Sequence, residues 1–143
     1  MGVILDSSVV IAAERAKLSP DILIEQVLAK VGDQQVALSA IGYTELLHAL
    51  YRAERQVHRT LRRLFLDELL GELPVYPYTE KSAELAAKIG AEAIKAGNTI
   101  PYADLLIGAT ALSLGFSVLT SNERDFRKID GLDVISFQSR SNP

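Results

Sequence analysis

Cysteine is absent from this chain of 143 residues, and histidine occurs only twice. Without a thiol, the chain can form no disulfide scaffold, no cysteine-based metal site and no catalytic thiolate. The histidines, His48 and His58, lie in Leu- and Arg-rich helical segments, where packing or a surface position is commoner than metal ligation. Zinc is therefore a poor expectation, because its protein sites are built largely from cysteine and histidine.

Long apolar runs and a strong excess of one charge are also missing. The longest apolar runs are much shorter than a bilayer requires, and the chain does not begin with a basic segment followed by a hydrophobic one. We therefore expect a cytoplasmic protein with no membrane span. The net charge is only −3, from 15 basic and 18 acidic residues, so any contact with nucleic acid must come from a local basic patch.

Short apolar runs alternate along the chain with segments of helical spacing. Strands are predicted at residues 3–5, 36–38, 74–78, 117–120 and 133–137. Helices are predicted at residues 9–16, 21–31, 40–50, 56–70, 79–95 and 102–114. This alternation favours a single α/β domain over residues 1–143, with three α/β/α layers and a central parallel sheet of about five strands. Residues 138–143 are expected to form a frayed tail.

Acidic residues follow two of the predicted strands and begin one of the helices. Asp6 follows the strand 3–5, Asp125 lies in the polar cluster after the strand 117–120, and Asp104 falls in the first turn of the helix that starts near Tyr102. In an open parallel sheet, ligands bind beyond the carboxyl ends of the strands. The two strands are therefore predicted to deliver acids to one edge of the sheet.

Each acid has an ordinary structural interpretation when it is considered alone. Asp6 is typical of a helix N-cap, and Asp125 of a surface loop that caps a short turn. Glu45 lies near the border of a buried helical stripe. Asp104 is favoured by the helix dipole, but its neighbours are apolar, and Gly108 one turn later is predicted to leave room beside it. Turn chemistry alone could explain the polar residues that follow the fourth strand, Thr120 and Asn122.

Considered together, the acids indicate a metal site. Mg²⁺ and Mn²⁺ prefer oxygen ligands, and three or four carboxylates at one edge of the sheet would supply them. Without a cation, the same carboxylates would repel one another, and their pKa values would rise.

Arginine is concentrated in one helical stretch after Glu45. The residues at spacings of three and four are Arg52, Arg55, His58, Arg59, Arg62 and Arg63. Two interpretations stay open: a solvated helix face balanced by nearby acids, or a patch that binds phosphate groups or a partner. For the second interpretation, the candidates are Arg52, Arg55, Arg59 and Arg62. A smaller basic group, Arg124, Arg127 and Lys128, lies beside Asp125.

With these residues in place, the chain resembles the PIN-domain family and, within it, the VapC-like toxin ribonucleases of prokaryotic toxin–antitoxin systems. The resemblance rests on VILDSSVVI, SAIGYTELLHAL, IPYADLLIGATAL and VLTSNERDFRKIDGLDVISF. No one stretch is decisive. The order Asp, Glu, Asp and then Thr-x-Asn-x-x-Asp-Phe is specific in combination.

The resemblance implies roles for individual residues of this chain. Asp6, Glu45 and Asp104 would hold Mg²⁺ or Mn²⁺, and Asp125 would complete or flank the site. Ser7, Ser8 and Thr120 would be polar supports of the same edge. Asn122 occupies a position where many PIN sequences have a further Asp, which weakens the expectation of a fully occupied second metal site.

The resemblance also implies an activity and partners. The expected reaction is hydrolysis of RNA phosphodiester bonds, in which the cation activates a water. A homodimer and a small antitoxin that covers the active groove are the expected partners. The main alternative is a PIN-fold binding module with little nuclease activity, which Asn122 and the isoelectric point of about 5.4 favour modestly.

Two unrelated phosphate-handling sites fit the sequence less well. A response-regulator-like phosphoacceptor needs adjacent acids after the first strand, whereas Ser7 follows Asp6 here. A haloacid-dehalogenase-like phosphatase needs Asp-x-Asp, and position 8 is Ser8.

Overall fold

Five parallel strands form the central sheet in a computed structural model that describes residues 1–140. The strands are β1 (Gly2–Leu5), β2 (Gln35–Ser39), β3 (Val75–Tyr76), β4 (Ser117–Thr120) and β5 (Val134–Ser136). Their order across the sheet is β3-β2-β1-β4-β5, and every neighbouring pair is parallel. The prediction of a parallel sheet of about five strands is therefore confirmed.

The helices cover both faces of this sheet. They are α1 (Ser7–Arg15), α2 (Pro20–Val31), α3 (Ala40–Arg52), α4 (Gln56–Glu72), α5 (Glu80–Lys95), α6 (Tyr102–Leu114) and α7 (Glu123–Phe126). Successive residues of β1 point to opposite faces, so Val3 and Leu5 pack with α1 to α4, while Ile4 packs with α6 and α7. This arrangement gives the three α/β/α layers that the sequence predicts.

Local signals in the sequence determine several element ends. Ser39 Oγ accepts a hydrogen bond from the backbone nitrogen of Gly42 at 3.0 Å, which caps α3 as predicted. Gly115 ends α6 in the left-handed conformation, with φ of 69°. β3 is a short edge strand, consistent with Pro77, which has no N–H to donate. None of the helices within residues 1–140 has the length and apolarity needed to cross a bilayer.

The end of the described chain lies against α2. Gln26 Nε2 donates to the carbonyl oxygen of Arg140 at 2.8 Å, and the nitrogen of Arg140 donates back to Gln26 Oε1 at 2.9 Å. The remainder of the predicted frayed tail, residues 141–143, lies outside the described residues.

The direction of the chain across the sheet reverses at β1. From β1 the chain proceeds to β2 and β3 on one side, and it later returns through α5 and α6 to β4 and β5 on the other side. The carboxyl ends of β1 and β4 are directly adjacent, because the nitrogen of Asp6 donates to the carbonyl oxygen of Leu119 at 2.9 Å. Such a reversal is where open α/β sheets form their binding crevice.

Candidate metal centre

Asp6 lies at this reversal, directly after β1, with its side chain buried. It occupies the N-cap position of α1, but its side chain makes no capping hydrogen bond. Instead, its Oδ2 accepts hydrogen bonds from Ser8 Oγ at 2.6 Å and from Thr120 Oγ1 at 2.9 Å. The interpretation of Asp6 as a side-chain cap is therefore wrong, because the hydroxyl groups of Ser8 and Thr120, and not a backbone N–H of α1, bind its carboxylate.

The two hydroxyl groups that hold Asp6 also bind the loop after β4. Ser8 Oγ accepts from the nitrogen of Ser121 at 3.2 Å, and Thr120 Oγ1 accepts from the nitrogen of Asn122 at 2.9 Å. Asn122 itself is exposed, and it contributes to these hydrogen bonds through its backbone nitrogen. This loop is thereby attached to the carboxylate at the end of the neighbouring strand.

Glu45 reaches the same edge from the second turn of α3. Its Oε1 accepts a hydrogen bond from Ser7 Oγ at 2.9 Å, and the side chain is partly exposed. Burial raises the pKa of Glu45, the hydrogen bond from Ser7 lowers it, and the charge of Asp6 raises it further. Two consecutive serines thus orient two different acids, since Ser7 holds Glu45 and Ser8 holds Asp6.

Asp104 lies in the first turn of α6 and is partly exposed. Its pKa is raised to about 6, first by burial and then by the negative charges of Asp6, Glu45 and Asp125. Repulsion from all three shows that the four carboxylates gather within electrostatic range of one another. The carboxylate of Asp104 accepts no hydrogen bond from residues 1–140, unlike those of the other three acids.

Gly108 does not provide the room beside Asp104 that the sequence suggested. A β-carbon at this position would lie 2.5 Å from Cδ1 of Ile129, which is itself buried. The missing side chain therefore allows the segment after α7 to pack closely against α6. The expectation about Gly108 was wrong because this neighbour comes from a distant part of the chain.

Asp125 is buried in the short helix α7, with only 4% of its surface exposed. Its Oδ1 lies 2.8 Å from Lys128 Nζ and 3.5 Å from Arg124 Nε. The hydrogen bond from Lys128 lowers the pKa of Asp125, burial opposes this effect, and the contact with Arg124 lowers the pKa further. The interpretation of Asp125 as an exposed loop residue is therefore wrong.

Three of the acids share one arrangement: the protein holds one oxygen and leaves the other open. Within residues 1–140, no buried side-chain nitrogen or oxygen lacks a hydrogen-bond partner. The second oxygens, Asp6 Oδ1, Glu45 Oε2 and Asp125 Oδ2, accept no hydrogen bond there, so each must reach accessible surface. The open oxygens and the free carboxylate of Asp104 form a set of anionic donors at one edge of the sheet.

This donor set matches the chemistry of Mg²⁺ or Mn²⁺, because all of its donors are carboxylate oxygens. Burial is the main cause of the raised pKa of Asp104, and the charges of the other three acids raise it further, a repulsion that a bound cation would relieve. Within residues 1–140, no three acidic or histidine side chains are already close enough to form a metal site. The residues therefore fit a cation by chemistry, and their open oxygens would have to move closer to bind it.

The arginine-rich stretch does not form one continuous helix face. α3 ends at Arg52 and α4 begins at Gln56, so the stretch spans a break. Arg59 donates to the carbonyl oxygen of Ala53 at 2.7 Å. Arg62 lies 2.9 Å from Glu14 Oε1 and donates to the carbonyl oxygen of Ala49 at 2.8 Å. Two of the four candidate arginines therefore stabilise the fold, while Arg52 and Arg55 are exposed.

Sequence reasoning did not predict the contact between Lys128 and Asp125. The two residues are three apart, but α7 ends at Phe126 and Lys128 lies in the turn that follows it. Helical spacing alone therefore does not predict this pair. The hydrogen bond from Ser7 to Glu45 had no local signal, since 38 residues separate the partners.

Comparisons with known proteins agree with this fold. The family model described as "PIN domain" matches residues 3–132. The protein named Ribonuclease VapC1 from Rickettsia felis is 33% identical over 140 residues, which cover 98% of this chain and 99% of that protein. Ribonuclease VapC from Rickettsia bellii is 32% identical over 136 residues, covering 95% of this chain and 96% of that protein.

A solved structure has the same fold. The structure described as VapBC2 from Rickettsia felis bound to a DNA fragment from their promoter has a TM-score of 0.83 and 21% identity, and the match covers 96% of this chain and 100% of that chain. The family match extends over most of the chain, from β1 to the segment before β5. On this evidence, the chain belongs to the PIN-domain family.

Proposed function

We propose that this protein is a cytoplasmic endoribonuclease that depends on a divalent cation and acts as the toxin of a toxin–antitoxin pair. The observation that carries the proposal is that four acids, from the end of β1 and from α3, α6 and α7, lie within electrostatic range of one another at one edge of the sheet, each with an oxygen that accepts no hydrogen bond within residues 1–140. RNA as the substrate is supported by the names of two relatives of this chain, both called ribonucleases.

In this proposal, the central acids Asp6, Glu45 and Asp104 hold Mg²⁺ or Mn²⁺, and Asp125 completes or flanks the site. When bound, the cation would supply positive charge at the scissile phosphate and lower the pKa of a water. The hydroxyl groups of Ser7, Ser8 and Thr120 keep the acids oriented, which reduces the rearrangement needed when substrate binds.

Hydrolysis requires a water to add to phosphorus while the ester oxygen leaves with a proton. Asp104 is suited to orient that water or to accept its proton, because its carboxylate accepts no hydrogen bond within residues 1–140. Asp6 is suited to a fixed orienting role, since two hydroxyl groups hold its Oδ2. No covalent intermediate with the protein is needed.

The proposed partners are an antitoxin and a second copy of this chain. The negative field of the four acids would attract a basic side chain of an antitoxin. A homodimer is supported by an apolar groove of about 690 Å³ along α5 and the start of α6, beside which Ile94 and Tyr102 are 76% and 75% exposed. Arg52 and Arg55 stay candidates for contact with RNA phosphates, because both are exposed.

The experiment is a cleavage time course on structured RNA with purified, partner-free protein in Mg²⁺, in Mn²⁺ and in excess chelator. Asp104→Asn is compared with Asp33→Asn, which changes an exposed aspartate just before the amino end of β2. We expect cation-dependent cleavage that Asp104→Asn abolishes and Asp33→Asn retains. Folded protein that cleaves no RNA in a broad panel would instead favour a PIN-fold binding module.

A further inference from the structure

Lys128 makes two contacts beside the acid cluster, the name used here for Asp6, Glu45, Asp104 and Asp125. Its Nζ donates to Asp125 Oδ1 at 2.8 Å and to the carbonyl oxygen of Thr99 at 2.7 Å. Only 28% of its side chain is exposed. Thr99 lies just before α6, so the lysine attaches the acid of α7 to the segment that leads to Asp104.

Asp125 is held differently from the other acids. Neutral hydroxyl groups hold Asp6 and Glu45, whereas a cationic side chain holds Asp125. Arg124 also approaches Asp125 Oδ1, but it lies farther away at 3.5 Å and is 81% exposed, so water screens its charge. Lys128 therefore interacts more strongly with Asp125 than Arg124 does, because it is closer and less exposed.

We propose that Lys128 is an internal counter-ion that limits the affinity of the acid cluster for a divalent cation by holding Oδ1 of Asp125. This inference rests on the proposed function, since it assumes that the cluster binds a cation. The ammonium group neutralises much of the charge that Asp125 would offer, and its positive charge would oppose a cation bound by the same acids.

Removal of Lys128 has two opposing effects on cation binding. Asp125 loses an anchor, which weakens its positioning, but the cluster loses a positive charge, which strengthens its attraction for a cation. Asp125 is almost fully buried, so surrounding atoms still restrict its side chain. We therefore expect the charge effect to dominate, and this direction distinguishes the proposal from a purely structural role for Lys128.

The test is Mn²⁺ binding, followed by electron paramagnetic resonance and calorimetry at constant pH and salt. The variants are Lys128→Met, which keeps most of the length of the side chain but removes its charge, and Lys128→Arg, which keeps the charge. We expect Lys128→Met to bind Mn²⁺ about tenfold more tightly and Lys128→Arg to stay near wild type. Arg127→Met is the matched control, because it removes a charge that pairs with Glu123 on the exposed side of α7.

Unchanged or weaker binding in Lys128→Met would overturn the proposal, and so would equal tightening in Arg127→Met, which would indicate a general effect of charge. Asp104→Asn in the same titration separates this inference from the proposed function. If Asp104→Asn loses Mn²⁺ binding while Lys128→Met does not tighten it, only the role of Lys128 fails. If Asp104→Asn binds Mn²⁺ as wild type does, the metal centre fails and the inference fails with it.

Discussion

Ser7 donates a hydrogen bond to Glu45 across 38 positions of the chain, joining the start of α1 to the second turn of α3 at a distance of 2.9 Å. The acceptor is a carboxylate whose pKa burial raises. The hydrogen bond from Ser7 favours the charged form of Glu45 and so opposes this effect of burial.

Ser7→Ala is expected to raise the pKa of Glu45 and to weaken Mn²⁺ binding. A hydrogen bond to a charged group contributes about 1.5–3 kcal/mol, and partial exposure of Glu45 reduces this to about 1 kcal/mol, or roughly fivefold in affinity. Calorimetric titration with Mn²⁺ measures the change. Ser136→Ala, an exposed serine at the end of β5, serves as the control. Equal affinities in the two variants would remove Ser7 from the site.

Asp104 is expected to make the metal-free protein less stable as pH rises. Its pKa is higher in the folded protein, at about 6, than its ordinary value of 3.8. The folded state therefore binds more protons between these values, so stability falls as pH increases through this range. Asp125 has a lowered pKa and acts in the opposite sense, losing its stabilising effect only under more acidic conditions.

Urea unfolding in chelator across this pH range tests the expectation. Asp104→Asn should flatten the decline and should be more stable than wild type at about pH 7.5, where the wild-type carboxylate is ionised. Asp33→Asn should retain the wild-type slope. A decline that persists unchanged in Asp104→Asn would mean that another group causes it.

Thr120→Val is expected to destabilise the protein and to weaken cation binding together. The substitution keeps the shape of a buried side chain but removes the hydroxyl that donates to Asp6 Oδ2 and accepts from the nitrogen of Asn122. Loss of this partner from a buried carboxylate should destabilise the fold by about 1–3 kcal/mol. Thermal unfolding and Mn²⁺ titration measure the two effects.

Thr110→Val is the matched control for Thr120→Val. Thr110 is also buried, but its hydroxyl donates to the carbonyl oxygen of Leu106 within α6. We expect Thr110→Val to leave Mn²⁺ affinity near wild type. Weaker binding in both variants would mean that affinity follows overall stability and not the orientation of Asp6.

The arginine-rich stretch is expected to separate into two functional groups. Arg52→Ala combined with Arg55→Ala should weaken RNA binding and reduce its salt dependence, because each contact with a phosphate releases counterions. The same pair should leave the melting temperature unchanged, since both side chains are exposed. RNA binding across a salt series, measured in the Asp104→Asn background to prevent cleavage, tests this expectation.

Arg62→Ala should behave in the opposite way. It removes the ion pair with Glu14 and the hydrogen bond to the carbonyl oxygen of Ala49, so it should lower the melting temperature. Its RNA affinity should stay near wild type. A salt dependence that decreases in Arg62→Ala but not in the exposed pair would reverse the assignment of the two groups.

The sheet and the approximate place of the acids could be predicted because their signals are local. β4 was predicted with the observed bounds, since a short apolar run ends in a polar cluster. The acids at strand ends followed from the geometry of parallel sheets. Contacts between distant elements could not be predicted, as Ile129 against Gly108 and Ser7 against Glu45 illustrate. Their partners meet only after the strands have taken their order.

The order of the strands has a consequence for synthesis. β1 is made first, yet it lies between β2 and β4, so one of its edges stays unpaired until Ser117–Thr120 has left the ribosome. Asp125, the last of the acids, follows within a few residues. Interrupted translation therefore yields a chain in which one edge of β1 is unpaired and the set of acids is incomplete. Such a fragment would expose an unpaired strand edge, which favours aggregation, and it would lack part of the proposed metal centre.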